Sequence, residues 1–313
     1  MPDLAGTRDY FGKTLVELGN ENPNIVVLDA DLSSSTRTSM FRKAYPDRFF
    51  NAGIAEQNCI GMAAGLANLG KIVFASSFAM FITGRAWEQI RNSVSYAYLN
   101  VKIAATHAGI TVGEDGASHQ ALEDIAIMRV IPEMRVLVPA DAIEAGQMIR
   151  SAAEMPGPFY IRMSRGNTPL VFNSIEYQYE YGKSKVIREG EDVAIMATGI
   201  MVYLALEAAN ELQKENIKVS VVNISSIKPI DEETIIQVAK KTRAIVTAEE
   251  HSVFGGLGSA VAEVLCQHCP VPIEMLGIQG VFGESGKPDE LLIKHHLTTE
   301  GIIDKVKKVL KRK

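Results

Sequence analysis

Short apolar runs alternate with longer amphipathic stretches along most of the chain. Five of these runs predict buried strands, since each is apolar on both faces and ends in small or polar residues: 24–31, 71–77, 101–107, 135–140 and 159–164. Helical patterns, such as those over residues 56–69 and 81–98, lie between them. Continuous apolar strands separated by helices are typical of a parallel sheet that is covered on both faces.

A second alternation follows a polar, tyrosine-rich stretch, NSIEYQYEYGKSK, which we interpret as a linker. Strands are predicted for DVAIMATG, KVSVVNIS, AIVTAEE and VPIEMLGI, with helices around 203–215, 234–240 and 255–267. A length of 313 residues suggests about two domains. The fold class predicted from the sequence is therefore α/β, with two consecutive parallel-sheet domains at residues 1–172 and 186–313 and a linker at 173–185.

Composition excludes several classes of protein. The chain carries 32 Lys and Arg against 37 Asp and Glu, so it lacks the basic surplus typical of nucleic-acid binding. Its 3 cysteines cannot form a disulfide framework, and its first residues, MPDLAGTRDYF, show no apolar signal segment. The longest apolar stretch, residues 59–84, is too polar for a membrane span. We expect a cytoplasmic protein that binds neither nucleic acid nor membrane.

Candidate chemistry follows the predicted strands, because open parallel sheets bind ligands beyond the carboxyl ends of their strands. In GIAEQN, Glu56 begins a small, apolar helix, where it could cap the helix dipole or share a proton with a ligand nitrogen. In the next segment, SSFAMFITGRAWEQIR, Phe78, Phe81 and Arg85 are spaced i, i+3 and i+7 and therefore share a face. That face could be core or an aromatic wall for a flat heterocycle.

Two further segments are rich in polar groups. THAGITVGEDGASHQ places His107, Glu114, Asp115 and His119 in one long loop. The spacing of the two histidines fits no standard zinc site, so proton transfer to and from hydroxyl groups suits them better. In RMSRGNTP, Arg165 lies where a bidentate anion clamp would be placed, although a surface arginine would give the same pattern.

Taken together, GIAEQN, SSFAMF, THAGITVGEDGASHQ and RMSRGN resemble, in order and spacing, the pyrimidine-binding domain of transketolase. EEHSVFGGLGSAVAEVL is similar to a segment of the transketolase C-terminal domain, so the resemblance extends from about Arg8 to the end. Transketolases ordinarily have a preceding domain that binds the diphosphate and its metal through a GDG…N sequence. No GDG occurs in this chain. The resemblance therefore implies the C-terminal subunit of a split transketolase.

The resemblance also implies the cofactor and the partners. Thiamine diphosphate would lie across the interface with an N-terminal transketolase subunit, which would bind most of the Mg²⁺ (or Ca²⁺ or Mn²⁺). The expected assembly is a heterotetramer that transfers a ketol unit between sugar phosphates. None of the candidate site residues of this chain is expected to bind the metal.

Individual roles transfer by position. Glu56 matches the glutamate that bonds to N1′ of the aminopyrimidine, and Phe78 and Phe81 match aromatic residues that pack on that ring; Arg85 is the fourth expected cofactor contact. Gly84 stands where a third aromatic residue is expected.

The remaining roles concern the substrate. His107 and Asp115 match contacts with substrate hydroxyls near the reacting carbons, and His119 matches a residue at the sugar end of the pocket. Together with Glu56, the two histidines are the expected catalytic residues. Three residues match phosphate-binding positions: Arg8, Ser35 and Arg165.

Three alternatives stay open at this point. The β chain of a 2-oxo acid dehydrogenase has the same two-domain layout and a similar glutamate, but it would not need the GEDG…His loop or the arginine pair. A fragment similar to 1-deoxyxylulose 5-phosphate synthase is the second. The third is a non-catalytic assembly subunit, which would have no chemical need for intact Glu56, His107, Asp115 and His119.

Overall fold

Strands and helices alternate throughout the computed structural model, which describes residues 3–313. The first half contains, in order, β1 (Leu4–Gly6), α1 (Thr7–Glu21), β2 (Ile25–Asp29), α2 (Ser33–Thr36), α3 (Ser39–Ala44), β3 (Phe49–Asn51), α4 (Glu56–Asn68), β4 (Ile72–Phe78), α5 (Ala79–Arg85), α6 (Trp87–Gln89), β5 (Val101–Thr106), α7 (Asp124–Arg129), β6 (Arg135–Leu137), α8 (Ala142–Glu154), β7 (Phe159–Arg162) and β8 (Asn167–Pro169). The second half contains β9 (Lys185–Arg188), β10 (Val193–Ala197), α9 (Met201–Lys214), β11 (Val219–Asn223), β12 (Ser226–Lys228), α10 (Glu232–Thr242), β13 (Ile245–Ser252), α11 (Leu257–His268), β14 (Ile273–Ile278), α12 (Pro288–Lys294) and α13 (Thr299–Leu310).

The strands form two main sheets. The first has 7 strands in the order β12-β6-β7-β5-β4-β2-β3, and the second has 5 in the order β14-β13-β10-β11-β9. All strands within each sheet are parallel except one at an edge, β12 in the first and β9 in the second. The predicted fold class is confirmed. An antiparallel edge strand on an otherwise parallel sheet is common, because an edge has only one neighbour to satisfy.

Apolar side chains cover both faces of the first sheet. On one face, Phe11 and Leu15 of α1 pack with Phe74 and Phe159. The other face is covered by Ile60 of α4 and its small, buried neighbours. The five predicted strands of the first half are confirmed, and each is buried on both faces because helices lie on both sides. Within residues 3–313, no helix combines the length and the apolar character that crossing a membrane would require.

The helix predicted over residues 81–98 is wrong as a single element. Its backbone leaves helical geometry at Ala86 (φ −107°, ψ 18°), after α5, and continues as α6 and a π-helical turn, Ile90–Ser95. Gly84 lies just before the break, and a glycine within a helix costs about 1 kcal/mol relative to alanine. Beyond the break, the Trp87 indole donates a hydrogen bond to the carbonyl of Ile127 at 2.9 Å.

The tyrosine-rich stretch predicted to be a linker packs against α8. The Tyr177 hydroxyl donates to the buried Glu144 carboxylate at 2.5 Å, and the Tyr179 amide donates to Gln147 Oε1 at 2.7 Å. This connection is therefore anchored at Tyr177 and Tyr179. The boundaries 1–172, 173–185 and 186–313 stay a prediction.

Candidate active site

The polar segments singled out in the sequence meet at the carboxyl edge of the first sheet. Glu56 follows β3, Phe78 ends β4, His107 follows β5 and Arg165 follows β7. These four strands run parallel to β2 in the same sheet, so their carboxyl ends point the same way. The edge thus brings together side chains that are far apart in the sequence.

The loop after β2 is held by one buried carboxylate. Asp29 accepts hydrogen bonds from the Leu32 amide at 2.5 Å and from the hydroxyls of Thr36 and Thr38 at 2.7 and 2.8 Å. Burial raises the pKa of Asp29, while these bonds oppose the rise. They fix α2, and with it Ser35, beside the sheet edge.

An aromatic cluster forms one wall of the site. Phe78 stacks on the His107 ring with centroids 3.8 Å apart and lies 5.6 Å from Phe81. The His119 ring meets Phe81 edge-on at 5.0 Å. The spacing of Phe78 and Phe81 predicted a shared face. The structure adds that both loop histidines complete this wall, which sequence spacing alone could not show.

Glu56 lies next to this aromatic wall, linked to it through Arg85. It is the first residue of α4 and is only 5% exposed. Its Oε1 accepts a hydrogen bond from Arg85 Nη1 at 2.7 Å, and the Arg85 guanidinium lies 4.2 Å from the centre of the Phe81 ring. The predicted face of Phe78, Phe81 and Arg85 therefore reaches Glu56. Arg85 itself is half-exposed.

His107 is held in an uncommon backbone conformation, with φ at 56°, which turns the chain sharply after β5. Its Nδ1 is 2.9 Å from the Thr106 hydroxyl. Burial, and then the positive charges of Arg8 and Arg165, lower the pKa of His107 to about 3. The imidazole is therefore neutral near pH 7, and its ring nitrogens are one donor and one acceptor.

The three residues expected to bind phosphate also lie together. Arg8 Nη1 donates to the backbone carbonyl of Ser35 at 2.9 Å, whereas its buried Nε has no partner among residues 3–313. Burial lowers the pKa of Arg8, and neighbouring arginines add to this effect. Arg165 donates to the carbonyl of Val112 and lies 3.6 Å from a carboxylate oxygen of Asp115. An anion would relieve the mutual repulsion of these guanidinium groups.

Sequence reasoning missed a third cation, Arg37. It follows α2 with φ at 70°, bonds to Asp9 through Nε at 2.6 Å and adds to the positive field at Arg8 and His107. The sequence offers little reason to place Arg37 in the site, because a basic residue at the end of a helix ordinarily complements the helix dipole.

The comparisons with known proteins decide the family. The model of the transketolase pyrimidine-binding domain matches residues 4–171, and that of the transketolase C-terminal domain matches residues 182–302. The chain belongs to the transketolase family. This confirms the resemblance found in the sequence and places the sheet edge described above in the pyrimidine-binding domain.

Three similar proteins match this chain over almost their whole length. A solved structure, "Split gene transketolase, inactive beta4 tetramer", is 56% identical with a TM-score of 0.92, and the match covers 98% of each chain. A Methanocaldococcus jannaschii protein whose name includes "transketolase C-terminal section" is 54% identical over 98% of this chain and 97% of its own. The 6-deoxy-6-sulfo-D-fructose transketolase subunit SqwH of a Clostridium species is 43% identical over 98% and 95%.

The residues present fit the pyrimidine end of thiamine diphosphate, on which the transketolase family depends in general. Glu56 is a buried carboxylate that can accept a hydrogen bond from a ring nitrogen, and the half-buried face of Phe81 can stack on a flat ring. Over residues 3–313, no three His, Cys, Asp or Glu side chains are grouped so that they could hold a metal ion.

Proposed function

We propose that this chain is a subunit of a thiamine diphosphate-dependent transketolase and contributes the pyrimidine half of the active site. The observation that carries this proposal is the side-chain cluster at the sheet edge, in which Arg85 links buried Glu56 to the Phe81 ring and the ring lies next to His119, with His107 and Arg165 beside them. A cofactor site and an anion site thus share one sheet edge. A ketol donor or acceptor that ends in a phosphate requires this combination.

Glu56 would accept a hydrogen bond from the pyrimidine ring, and Phe81 would pack on the face of that ring, with the buried Phe78 supporting Phe81 from behind. Arg85 would move off the Phe81 face and stay within reach of Glu56. Thiamine diphosphate, when bound, supplies a nucleophilic carbon and an electron sink for cleaving the carbon–carbon bond next to a ketose carbonyl. Proton sharing at Glu56 would activate that carbon, because the carboxylate stabilises the protonated ring nitrogen.

His107 and His119 would exchange protons with the substrate hydroxyls. A neutral imidazole can bond to two hydroxyls at once, as acceptor at one ring nitrogen and donor at the other. A bound phosphate that offsets the arginine charges would raise the pKa of His107 toward the range in which it takes up a proton. Asp115, which lies beside Arg165, would hold a hydroxyl of the sugar. Arg8 and Arg165 would bind the terminal phosphate through charge-assisted hydrogen bonds, and the backbone of Ser35 fixes Arg8.

A companion chain is part of this proposal. Two of the similar proteins are named as a section or a subunit of a transketolase, and the solved structure is of a split-gene transketolase whose tetramer of β chains is inactive. We infer that an N-terminal subunit binds the diphosphate and Mg²⁺ (or Ca²⁺ or Mn²⁺). We also infer that two chains of each kind form a heterotetramer.

The proposal is tested by the reaction class of the assembled enzyme. With its companion, thiamine diphosphate and Mg²⁺, the enzyme should transfer two carbons from xylulose 5-phosphate to an aldose phosphate without releasing CO₂. Turnover of pyruvate, a 2-oxo acid that has no ketol unit to transfer, with CO₂ release would instead support a 2-oxo acid dehydrogenase β chain or a 1-deoxyxylulose 5-phosphate synthase-like fragment. Turnover that is unchanged in Glu56→Gln would show that the companion supplies the catalytic groups and that this chain has only an assembly role.

A further inference from the structure

The loop that carries the candidate histidines is bound to the C-terminal half of the chain. We call residues 107–120 the substrate loop. Glu250, on β13, is only 4% exposed and points at this loop. Its Oε1 accepts hydrogen bonds from both the backbone amide and the hydroxyl of Thr111, each at 2.7 Å. These bonds join residues 139 positions apart in the sequence.

The same carboxylate lies directly against the turn of the substrate loop. Gly109 has φ at 86°, and a Cβ atom built there would lie 2.2 Å from Glu250 Oε1. Such a contact is far inside van der Waals distance, so only glycine allows this approach. Glu250 therefore lies closely against the loop at Gly109 and bonds to it at Thr111.

The far end of the substrate loop is anchored to the C-terminal half too. The buried Gln120 amide donates to the carbonyl of Glu284 at 2.9 Å and to that of Ile110 at 3.1 Å. Just beyond the loop, the Ser252 amide donates to the carbonyl of Leu122 at 2.8 Å. Asp115 and His119 lie between these anchors.

Glu250 is itself held in place by a residue from the first half of the chain. Arg162 Nη2 donates to its backbone carbonyl at 2.9 Å, while Arg162 Nε bonds to the buried Asp124 carboxylate at 2.7 Å. A buried carboxylate is costly unless it is hydrogen-bonded, and the side-chain bonds of Glu250 go to Thr111. The stabilisation that this side chain supplies is thus directed at the substrate loop.

We propose that Glu250 is a positioning residue: through Thr111 and Gly109 it holds the substrate loop so that His107 and His119 face the substrate. The inference rests on the proposed function, because it gives the C-terminal half a part in that site. It predicts that loosening this contact impairs substrate binding and turnover, while the Glu56 end of the candidate site stays intact.

The test compares Glu250→Ala with a matched control, Glu249→Ala. Glu249 is the neighbouring buried glutamate, but its carboxylate accepts from the amides of Leu257 and Gly258 at the start of α11. Hydrogen–deuterium exchange of the full chain should show the Thr111 amide exchanging about tenfold faster or more in Glu250→Ala, as expected for a lost hydrogen bond to a charged group. Glu249→Ala should leave that amide unchanged.

Kinetics of the enzyme assembled with its companion supply the second readout. Glu250→Ala should lower kcat/KM for the ketose phosphate roughly tenfold to a hundredfold and raise its KM, since misplaced groups bind and react less well. Affinity for thiamine diphosphate should change far less than the KM of the ketose phosphate, because Glu56 and Phe81 lie outside the loop. A smaller folded fraction would lower kcat alone, so the rise in KM separates positioning from instability. Glu250→Gln, which keeps an acceptor oxygen, should restore most of the activity.

Equal loop exchange in Glu250→Ala and wild type, or equal kinetic losses in the Glu249 and Glu250 variants, would overturn the inference. Should Glu250→Ala not fold, Thr111→Val can replace it, because it removes one of the two bonds to Glu250. This variant must then show the same changes in loop exchange and in KM, but smaller ones. If the wild-type assembly transfers no ketol unit, the proposed function fails, whereas the exchange result still decides whether Glu250 holds the loop.

Discussion

Replacing Glu56 with alanine is the sharpest perturbation of the candidate cofactor site. The folded state should tolerate the change, because the ion pair with Arg85 is half-exposed and contributes about 0–1 kcal/mol. Losing a carboxylate from the first turn of α4 removes a helix-dipole interaction of about 0.3–1 kcal/mol. Removing the carboxylate also removes the cost of burying its charge, and this gain in stability opposes both losses. We expect Tm to move by only a few degrees, roughly 2–4 °C per kcal/mol.

Catalysis should suffer far more than stability. A positioned proton-transfer group contributes about 10²–10⁴ in rate, which corresponds to roughly 3–5 kcal/mol of barrier. Glu56 is 5% exposed and lies beside the Phe81 face, so water cannot easily replace it. Glu56→Gln should lose nearly as much as Glu56→Ala, since the amide has a similar shape but cannot share the proton.

The assay is exchange of the C2 proton of thiamine diphosphate in the assembled enzyme, followed by acid quench and NMR. Glu88→Ala is the matched control, because Glu88 is an exposed glutamate close to Arg85 in sequence. The control should exchange at the wild-type rate and both Glu56 variants should exchange slowly. An unchanged rate in Glu56→Ala, with cofactor bound, would refute the role given to this carboxylate.

Two further predictions concern the anion site and His107. Arg8→Ala and Arg165→Ala should each lower kcat/KM for phosphorylated substrates roughly tenfold to a hundredfold, because each loses a bond of about 1.5–3 kcal/mol to a charged group. Both variants should spare hydroxypyruvate, which has no phosphate. Equal losses for phosphorylated substrates and for hydroxypyruvate would contradict a phosphate role. Because the pKa of His107 is about 3 in the folded chain, the unfolded chain binds the extra proton as pH falls through about 6.5, so the folded state loses stability there. Between pH 7.5 and pH 5, the free energy of unfolding measured in urea should therefore fall by about 2 kcal/mol more for wild type than for His107→Gln. The same fall in both proteins would disprove this.

Periodicity predicted the layers of the fold and the face of the aromatic wall. The apolar strands are confirmed because burial on both faces leaves every position of β2 and β5 inside the protein. Phe78 and Phe81 meet because the spacing that placed them on one face acts locally. The signal for α1 was also present, since Phe11, Leu15 and Leu18 are spaced four and three residues apart on its buried side.

Contacts between distant segments were beyond such reasoning. A pattern of polar and apolar positions shows which face is buried, but it does not show which carboxylate meets which amide. The bonds between Glu250 and Thr111 join the two halves, and the Arg37–Asp9 pair joins α1 to the loop after β2. Both depend on how separately formed elements pack, so only the structure could reveal them.

The most direct test of the central claim is a mixing experiment with the companion chain. Total protein is held constant while the molar ratio of the two chains varies, in the presence of thiamine diphosphate and Mg²⁺, and ketol transfer from xylulose 5-phosphate is measured. Since stacking on Phe81 and one bond to Glu56 can hold the cofactor only weakly, the chain alone should be inactive. Activity should be greatest at an equal molar ratio. Full transketolase activity from this chain alone would contradict the account.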